Sequence, residues 1–269
     1  MNRIDNTFQT LAAAKRKALV AYLTAGDPDF DTSLQILRTA CASGVDVLEM
    51  GVPFSDPTCD GPVIQMASAR ALKAGMTLSR SIRLAAELRK TVQTPIVLFS
   101  YYNPFFKYGL DRVAKEAAEA GVDGLLVVDL PPEEAGPLSD ALKGKDIHLI
   151  RLAAPTSKPE RIRMLADGAG GFLYLISRTG VTGTGGLDYA DIAKHAAAVK
   201  AVCPHPVCIG FGISTGADAR AIAPMADGII VGSALVRLIA QAPTGADLPA
   251  LVAAKIRELR DGMDGEKRV

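Results

Sequence analysis

Three carboxylates crowd a glycine- and proline-rich stretch at positions 48–65, LEMGVPFSDPTCDGPVIQ, where Glu49 closes an apolar run and Asp56 and Asp60 follow in a loop. An ionised acid at the end of a dry strand is unfavourable unless it meets water, a partner or a proton. Glu49 on a strand tip and Asp60 on the loop beyond it, eleven positions apart, can face each other across a pocket. General acid–base catalysis needs that arrangement.

The elements that must hold these acids recur along the chain. Short apolar, β-branched runs lie at 18–23, 45–50, 96–100, 124–128, 148–153, 172–177, 206–210 and 228–231. Segments with helical spacing separate them, at 32–42, 65–74, 110–120, 133–142, 160–166, 189–202 and 216–222. Strands apolar on both faces that alternate with helices indicate parallel β/α units. Eight such units in about 250 residues match the usual size of a (β/α)8 barrel. A doubly wound sheet would more often carry GxGxxG after its first strand, and this chain has TAGDPD there. Further helices are expected at 4–15, 77–92 and 248–262. The predicted fold is therefore α/β, a single TIM barrel over residues 1–269 with an extra N-terminal helix and additional helices.

In such barrels the chemistry sits at the C-terminal ends of the strands, so the strand exits can be read in turn. Gly212 after the seventh strand, and Gly232 with Ser233 after the eighth, fall where barrels often hold a phosphate, because glycine lets backbone N–H groups approach an anion. The bland alternative is a pair of tight strand-to-helix turns. After the sixth strand, residues 179–186 hold four glycines and three threonines, a composition that suits either a closing lid or a surface loop. Gly183 could add an N–H to the phosphate from there. Aromatic residues gather at the third exit, from Phe99 to Tyr108, as a pocket wall or as packing under a long loop. Tyr102 and Tyr22 matter most for a pocket, each bringing a hydroxyl with its ring. Asp129 at the fourth exit either caps the next turn or touches substrate. Asp46 begins its strand and so points to the opposite end of the barrel, where a structural role is expected.

Composition narrows the classes. A net charge of +1 provides no field toward nucleic acid or membrane. The four cysteines form no CxxC pair and do not cluster with the three histidines, so no metal site is expected. The N-terminal MNRIDNTFQTL lacks a signal-peptide apolar region, and no apolar run approaches a membrane span. The expected setting is the cytoplasm.

Seven segments then carry a resemblance: YLTAGDP (22–28), LEMGVPFSDPTCDGPVIQ (48–65), YYNP (101–104), VVDLPPEE (127–134), YLISRTGVTG (174–183), GFGIS (210–214) and DGIIVGSALV (227–236). Together they span nearly the whole chain, and it resembles the tryptophan synthase alpha subunit family. The resemblance implies retro-aldol cleavage of indole-3-glycerol phosphate to indole and glyceraldehyde 3-phosphate, in tryptophan biosynthesis. It implies that Glu49 and Asp60 are catalytic. Tyr22, Tyr102, Asp129, Tyr174, Thr182 and Phe211 would meet the substrate, and Gly183, Gly212, Gly232 and Ser233 its phosphate. No cofactor is implied in this subunit. The implied partner is a beta subunit that carries pyridoxal phosphate, in an α2β2 complex. The chain departs from the family at Thr58-Cys59, beside Asp60, and at Tyr22, where the family often has phenylalanine. A stand-alone indole-3-glycerol phosphate lyase and a non-catalytic barrel that activates a partner are the rival readings. Intact Glu49 and Asp60 argue against the second. A sugar-phosphate isomerase barrel would want an acid or lysine where this chain has Leu23 and Thr24.

Overall fold

A computed structural model describes residues 1–176, 188–210 and 212–265. Its eight strands are β1 (Ala18–Thr24), β2 (Val47–Gly51), β3 (Ile96–Ser100), β4 (Gly124–Val127), β5 (His148–Ala153), β6 (Leu173–Ile176), β7 (Val207–Gly210) and β8 (Gly228–Val231). All pair in parallel and in chain order, and β8 closes onto β1. The strand period of two sorts their side chains. Ala18, Val20, Val47, Val97, Leu126, Ile150, Cys208 and Ile230 fill the barrel interior. Leu19, Ala21, Leu23, Leu48, Leu98 and Ile209 face outward into the layer under the helices. The barrel expectation holds.

The expected extra helices are present as well. α1 (Arg3–Ala13) precedes the barrel and closes its N-terminal end. Asn2 caps α1 by accepting from Ile4 N at 2.8 Å, and its side-chain amide donates to the carbonyls of Asp123 and Asp146 at 2.9 and 2.8 Å. Phe8 stacks on Phe172 with ring centroids 5.7 Å apart. After α2 (Phe30–Ala42), the second crossover is doubled into α3 (Pro62–Lys73) and α4 (Leu78–Arg89). Gly75, at φ +80°, makes the break between them. The barrel continues through α6 (Leu110–Glu119), α7 (Gly136–Leu142), α8 (Pro159–Asp167), α9 (Tyr189–Lys200) and α10 (Gly216–Ile222) to α11 (Ser233–Gln241) and α12 (Leu248–Asp264). Asp46 has the structural role expected of it: it accepts from Leu19 N at 2.8 Å and pairs with Arg260 of α12.

Two features differ from the sequence expectation. β2 runs on to Gly51, which pairs with both Thr24 and Phe99. Glu49 therefore lies inside the strand rather than at its tip. The aromatic segment after β3 is not a loop but a short helix, α5 (Tyr102–Tyr108). Pro104 is tolerated in its first turn, where the missing N–H has no partner to lose, and Gly109 at φ +97° separates it from α6.

Candidate active site

Glu49 faces inward from the middle of β2 and is completely buried. Neither carboxyl oxygen has a hydrogen-bond partner among the described residues. Burial alone pushes its pKa up to about 8, because desolvation penalises the charged form. At neutral pH it carries a proton, ready to be given away.

Two phenols share the interior with it. Tyr22 stands in register with Glu49 on the neighbouring strand, and Tyr174 projects inward from β6. Both are buried, and burial raises both hydroxyls; the charge of Asp60 adds to it at Tyr22, and that of Glu49, once ionised, at Tyr174. Glycines on adjacent strands make the room for them. A Cβ on Gly51 would sit 2.0 Å from the Tyr22 hydroxyl oxygen, and a Cβ on Gly210 would sit 2.3 Å from that of Tyr174. Phe99 meets Tyr22 edge-on, with centroids 5.1 Å apart.

Asp60 lies half-buried on the loop between β2 and α3. Burial lifts its pKa to about 6, and the Tyr101 hydroxyl acts to lower it. At neutral pH it is an anion while Glu49 is protonated. The loop holds itself through Asp60 N to Pro57 O at 3.1 Å and Gln65 Nε2 to Asp60 O at 2.8 Å. It leans on Tyr101, whose hydroxyl accepts from Cys59 N at 2.9 Å and whose ring packs against Phe54 at 5.2 Å. The Thr58 and Cys59 side chains are exposed.

Tyr102 has a different position from Tyr101. It begins α5, packs against the outer layer and lies 5.8 Å from Phe106. Asp129, exposed at the end of β4, accepts from Tyr102 N at 2.7 Å. That bond caps the helix after the neighbouring strand rather than the turn that follows Asp129 itself.

The helices that follow the neighbouring strands β7 and β8 begin with opposite electrostatics. α10 is closed by a capping box in which Thr215 accepts from Asp218 N, and Asp218 accepts from Ser214 N and Thr215 N at 3.0 and 2.9 Å. A carboxylate there already neutralises the helix start. α11 has Gly232 as its N-cap with no side-chain cap, and Ser233 as its first residue. Its leading N–H groups and dipole are left for an anion. Gly212, at φ +82°, turns the chain after β7. Thr182, Gly183 and Phe211 lie outside the described residues.

The chain matches the family profile of the tryptophan synthase alpha chain over residues 8–264. It belongs to that family. The tryptophan synthase alpha chain of Desulfosudis oleivorans is 52% identical over 260 residues, 97% of this chain and 98% of that protein. That of Desulfatibacillum aliphaticivorans is 51% identical over 239 residues, 89% of this chain and 90% of its own. Among solved structures, tryptophan synthase subunit alpha from Legionella pneumophila superposes with a TM-score of 0.92 at 38% identity, covering 98% of this chain and 99% of that one. Tryptophan synthase alpha chains are lyases that cleave indole-3-glycerol phosphate, and membership brings that activity to this chain.

In the sequence nothing marks Gly51 or Gly210 for the site, and Tyr101 is only one of the aromatics gathered at the third exit. Gly51 and Gly210 are visible as glycines at strand ends, but what they accommodate comes from the adjacent strand.

Proposed function

We propose that Glu49 carries the protons of the cleavage and that Asp60 holds the indole N–H. Glu49 gives its proton to the ring carbon that bears the side chain, which leaves positive charge on the ring nitrogen. Its carboxylate then takes the proton of the adjacent side-chain hydroxyl. The carbon–carbon bond breaks, its electron pair returns to the ring as indole leaves, and the hydroxyl carbon becomes the aldehyde. Glu49 ends as it began, protonated, so the cycle needs no co-reactant and no cofactor in this chain. Asp60 stabilises the developing charge because it is ionised at the pH where Glu49 is not. The observation that carries this reading is the buried, unpartnered carboxyl of Glu49, with its pKa near 8.

Tyr22 and Tyr174 wall the pocket, and we assign Tyr101, rather than Tyr102, to the indole side because it supports the Asp60 loop. The start of α11, Gly232 and Ser233, takes the phosphate with Gly212, and Gly183, Thr182 and Phe211 complete the closed site. Asp129 acts through its cap on α5. Remote binding energy at the phosphate then positions the scissile bond. One domain over residues 1–269 carries this whole site.

The chain works in the cytoplasm with a beta subunit that carries pyridoxal phosphate, as an α2β2 complex. Two observations support that. Phe106 in α5 and Met66 in α3, on helices that follow the strands at the mouth, are large exposed apolar side chains that a partner would take out of water. A structurally similar protein is Mycobacterium tuberculosis tryptophan synthase in an aminoacrylate-bound form, at TM-score 0.87 and 33% identity, covering 98% of this chain and 100% of that one. Among the described residues no helix is long and apolar enough to cross a membrane, and no group of His, Cys, Asp or Glu could hold a metal ion.

The test is an indole-formation assay on the unmutated chain with and without a beta subunit, and on Glu49→Gln beside binding of glycerol phosphate. In Glu49→Gln indole formation should vanish while phosphate binding stays. Wild-type turnover in the variant would refute the role of Glu49, and a rate unmoved by the beta subunit would favour the stand-alone lyase.

A further inference from the structure

A second cavity lies at the opposite end of the barrel from Glu49. Lys17, Pro206 and Asp227 stand just before β1, β7 and β8, three strands adjacent in the closed sheet, and with the C-terminal part of α1 they line a space of 510 Å³. That is within the range of about 300–1,000 Å³ that takes a small organic ligand. Phe8 and Leu11 of α1, with Pro204 and Pro206 between α9 and β7, give it apolar walls. Lys15, Arg16 and Lys17 give it a basic rim.

The charges around it are not equivalent. Arg16 pairs with Asp264 at 2.9 Å, and Lys17 donates to the Ala226 carbonyl at 2.6 Å. Asp227, the carboxylate of the lining, is answered by Lys200 at 2.8 Å and by Val207 N at 3.0 Å. His205 is tied through Nε2 to the Ala166 carbonyl at 3.0 Å. Lys15 is exposed, and its ammonium has no partner among the described residues.

The backbone sets Lys15 further apart. At φ +54° it is the one non-glycine residue with positive φ among the described residues. It follows the C-cap of α1, where Lys15 N bonds to Ala12 O at 3.0 Å and Arg16 N to Leu11 O at 2.8 Å. α3 and α6 end in the same pair of bonds, and there the residue is Gly75 or Gly121. Glycine reaches this left-handed conformation without the clash that a Cβ brings. Attraction to the helix dipole does not explain the choice, because a lysine at the exposed Ala13 would meet the dipole with no strained backbone. Lysine at position 15 instead sets an unpaired charge at the rim of the cavity, at a cost to stability. We infer that the cavity binds a small aromatic acid, its ring against Phe8 and the prolines and its carboxylate on the Lys15 ammonium. One unpaired cation selects one negative charge, and the apolar walls select a ring. The cavity is remote from the cleavage chemistry, so it stands or falls apart from the roles of Glu49 and Asp60.

The experiment is a titration of the isotope-labelled full chain with naphthoate, followed through its amide NMR signals. Acetate supplies the charge without the ring, and naphthylmethylamine the ring with the opposite charge. Naphthoate should shift the amides of residues 15–17, Cys203 and His205 saturably, and each control should bind at least about tenfold more weakly. Lys15→Asn keeps a residue that tolerates this backbone and drops the charge, and should weaken naphthoate about three- to tenfold. Lys15→Gly should weaken it equally while raising Tm by about 2–4 °C as the strain is relieved. Unchanged affinity in the two variants, equal affinity for either control, or shifts confined to other parts of the chain would overturn the inference. A lower Tm in Lys15→Gly would overturn it too, by assigning the lysine to the helix end.

Discussion

Glu49→Gln should shift the stability of this protein increasingly in the variant's favour as pH rises. In the unfolded chain the glutamate titrates near its ordinary 4.5, whereas in the folded protein it holds its proton to about 8. Folding between those values takes up a proton. A raised carboxylate pKa therefore means stability that is intact below the unfolded value and lost as pH rises toward the folded one. Each pH unit in that window costs about 1.4 kcal/mol. The loss is about 1 kcal/mol at pH 5, about 3 at pH 7 and about 4 at pH 8. Glutamine has the shape of the protonated acid and does not titrate, so it escapes this loss. Any fixed cost of its unpartnered amide is the same at every pH and cancels when conditions are compared. Urea unfolding of wild type and variant, followed by circular dichroism at the three pH values, gives the difference. The variant's advantage should grow by about 3 kcal/mol from pH 5 to pH 8, a relative rise in Tm of roughly 10 °C for a chain of this size. An advantage that does not change with pH would mean that Glu49 is ionised in the folded state, and the proton-delivery step would fall with it.

The pH profile of kcat/KM should be a bell that rises through about 6, as Asp60 ionises, and falls through about 8, as Glu49 loses its proton; a single-limbed profile between those values would contradict the opposed protonation states. Tyr101→Phe removes the acceptor of the Cys59 N–H and the hydroxyl that lowers the Asp60 pKa, so the acid limb should move to higher pH and stability should fall by about 1 kcal/mol, both measurable on the purified chain. Gly210→Ala drives a methyl to 2.3 Å from the Tyr174 hydroxyl, and overpacking of this kind costs about 1–3 kcal/mol, to be read as a lower urea midpoint with indole formation reduced at least tenfold. Ser233→Ala should weaken glycerol phosphate binding several-fold by calorimetry, while Thr215→Ala, at the α10 start already occupied by Asp218, should lower stability and spare phosphate affinity.

Much of the barrel was legible because its signals are local. The strands at 96–100, 148–153 and 228–231 coincide with β3, β5 and β8, each an apolar run that ends at a break in pattern. The two acids were legible for the same reason, as charges where a strand should be dry. What could not be read is non-local. Whether β2 stops at Met50 or continues to Gly51 depends on pairing with Thr24 and Phe99, and that decides how deep Glu49 lies. Tyr101 and Tyr102 are alike in sequence, but a shift of one residue at a strand exit sends a ring to the opposite side of the layer. The cap on α5 comes from Asp129, 27 positions away on the next strand. No spacing rule announces such a partner.

The closure of the barrel floor has a consequence for how the chain is made. α1 leaves the ribosome before the eight strands, yet its partners are Asp123, Asp146, His148 and Phe172. Its docking surface is not complete until Phe172 and β6 have emerged. A helix made before the barrel is thus among the last elements to gain protection, and the loop it must close, more than 140 residues for the Asp5–His148 contact, favours late assembly. Pulse-labelled hydrogen exchange during refolding should show the amides of α1 protected after those of β4 and β5, so a helix translated before the barrel becomes the seal set last.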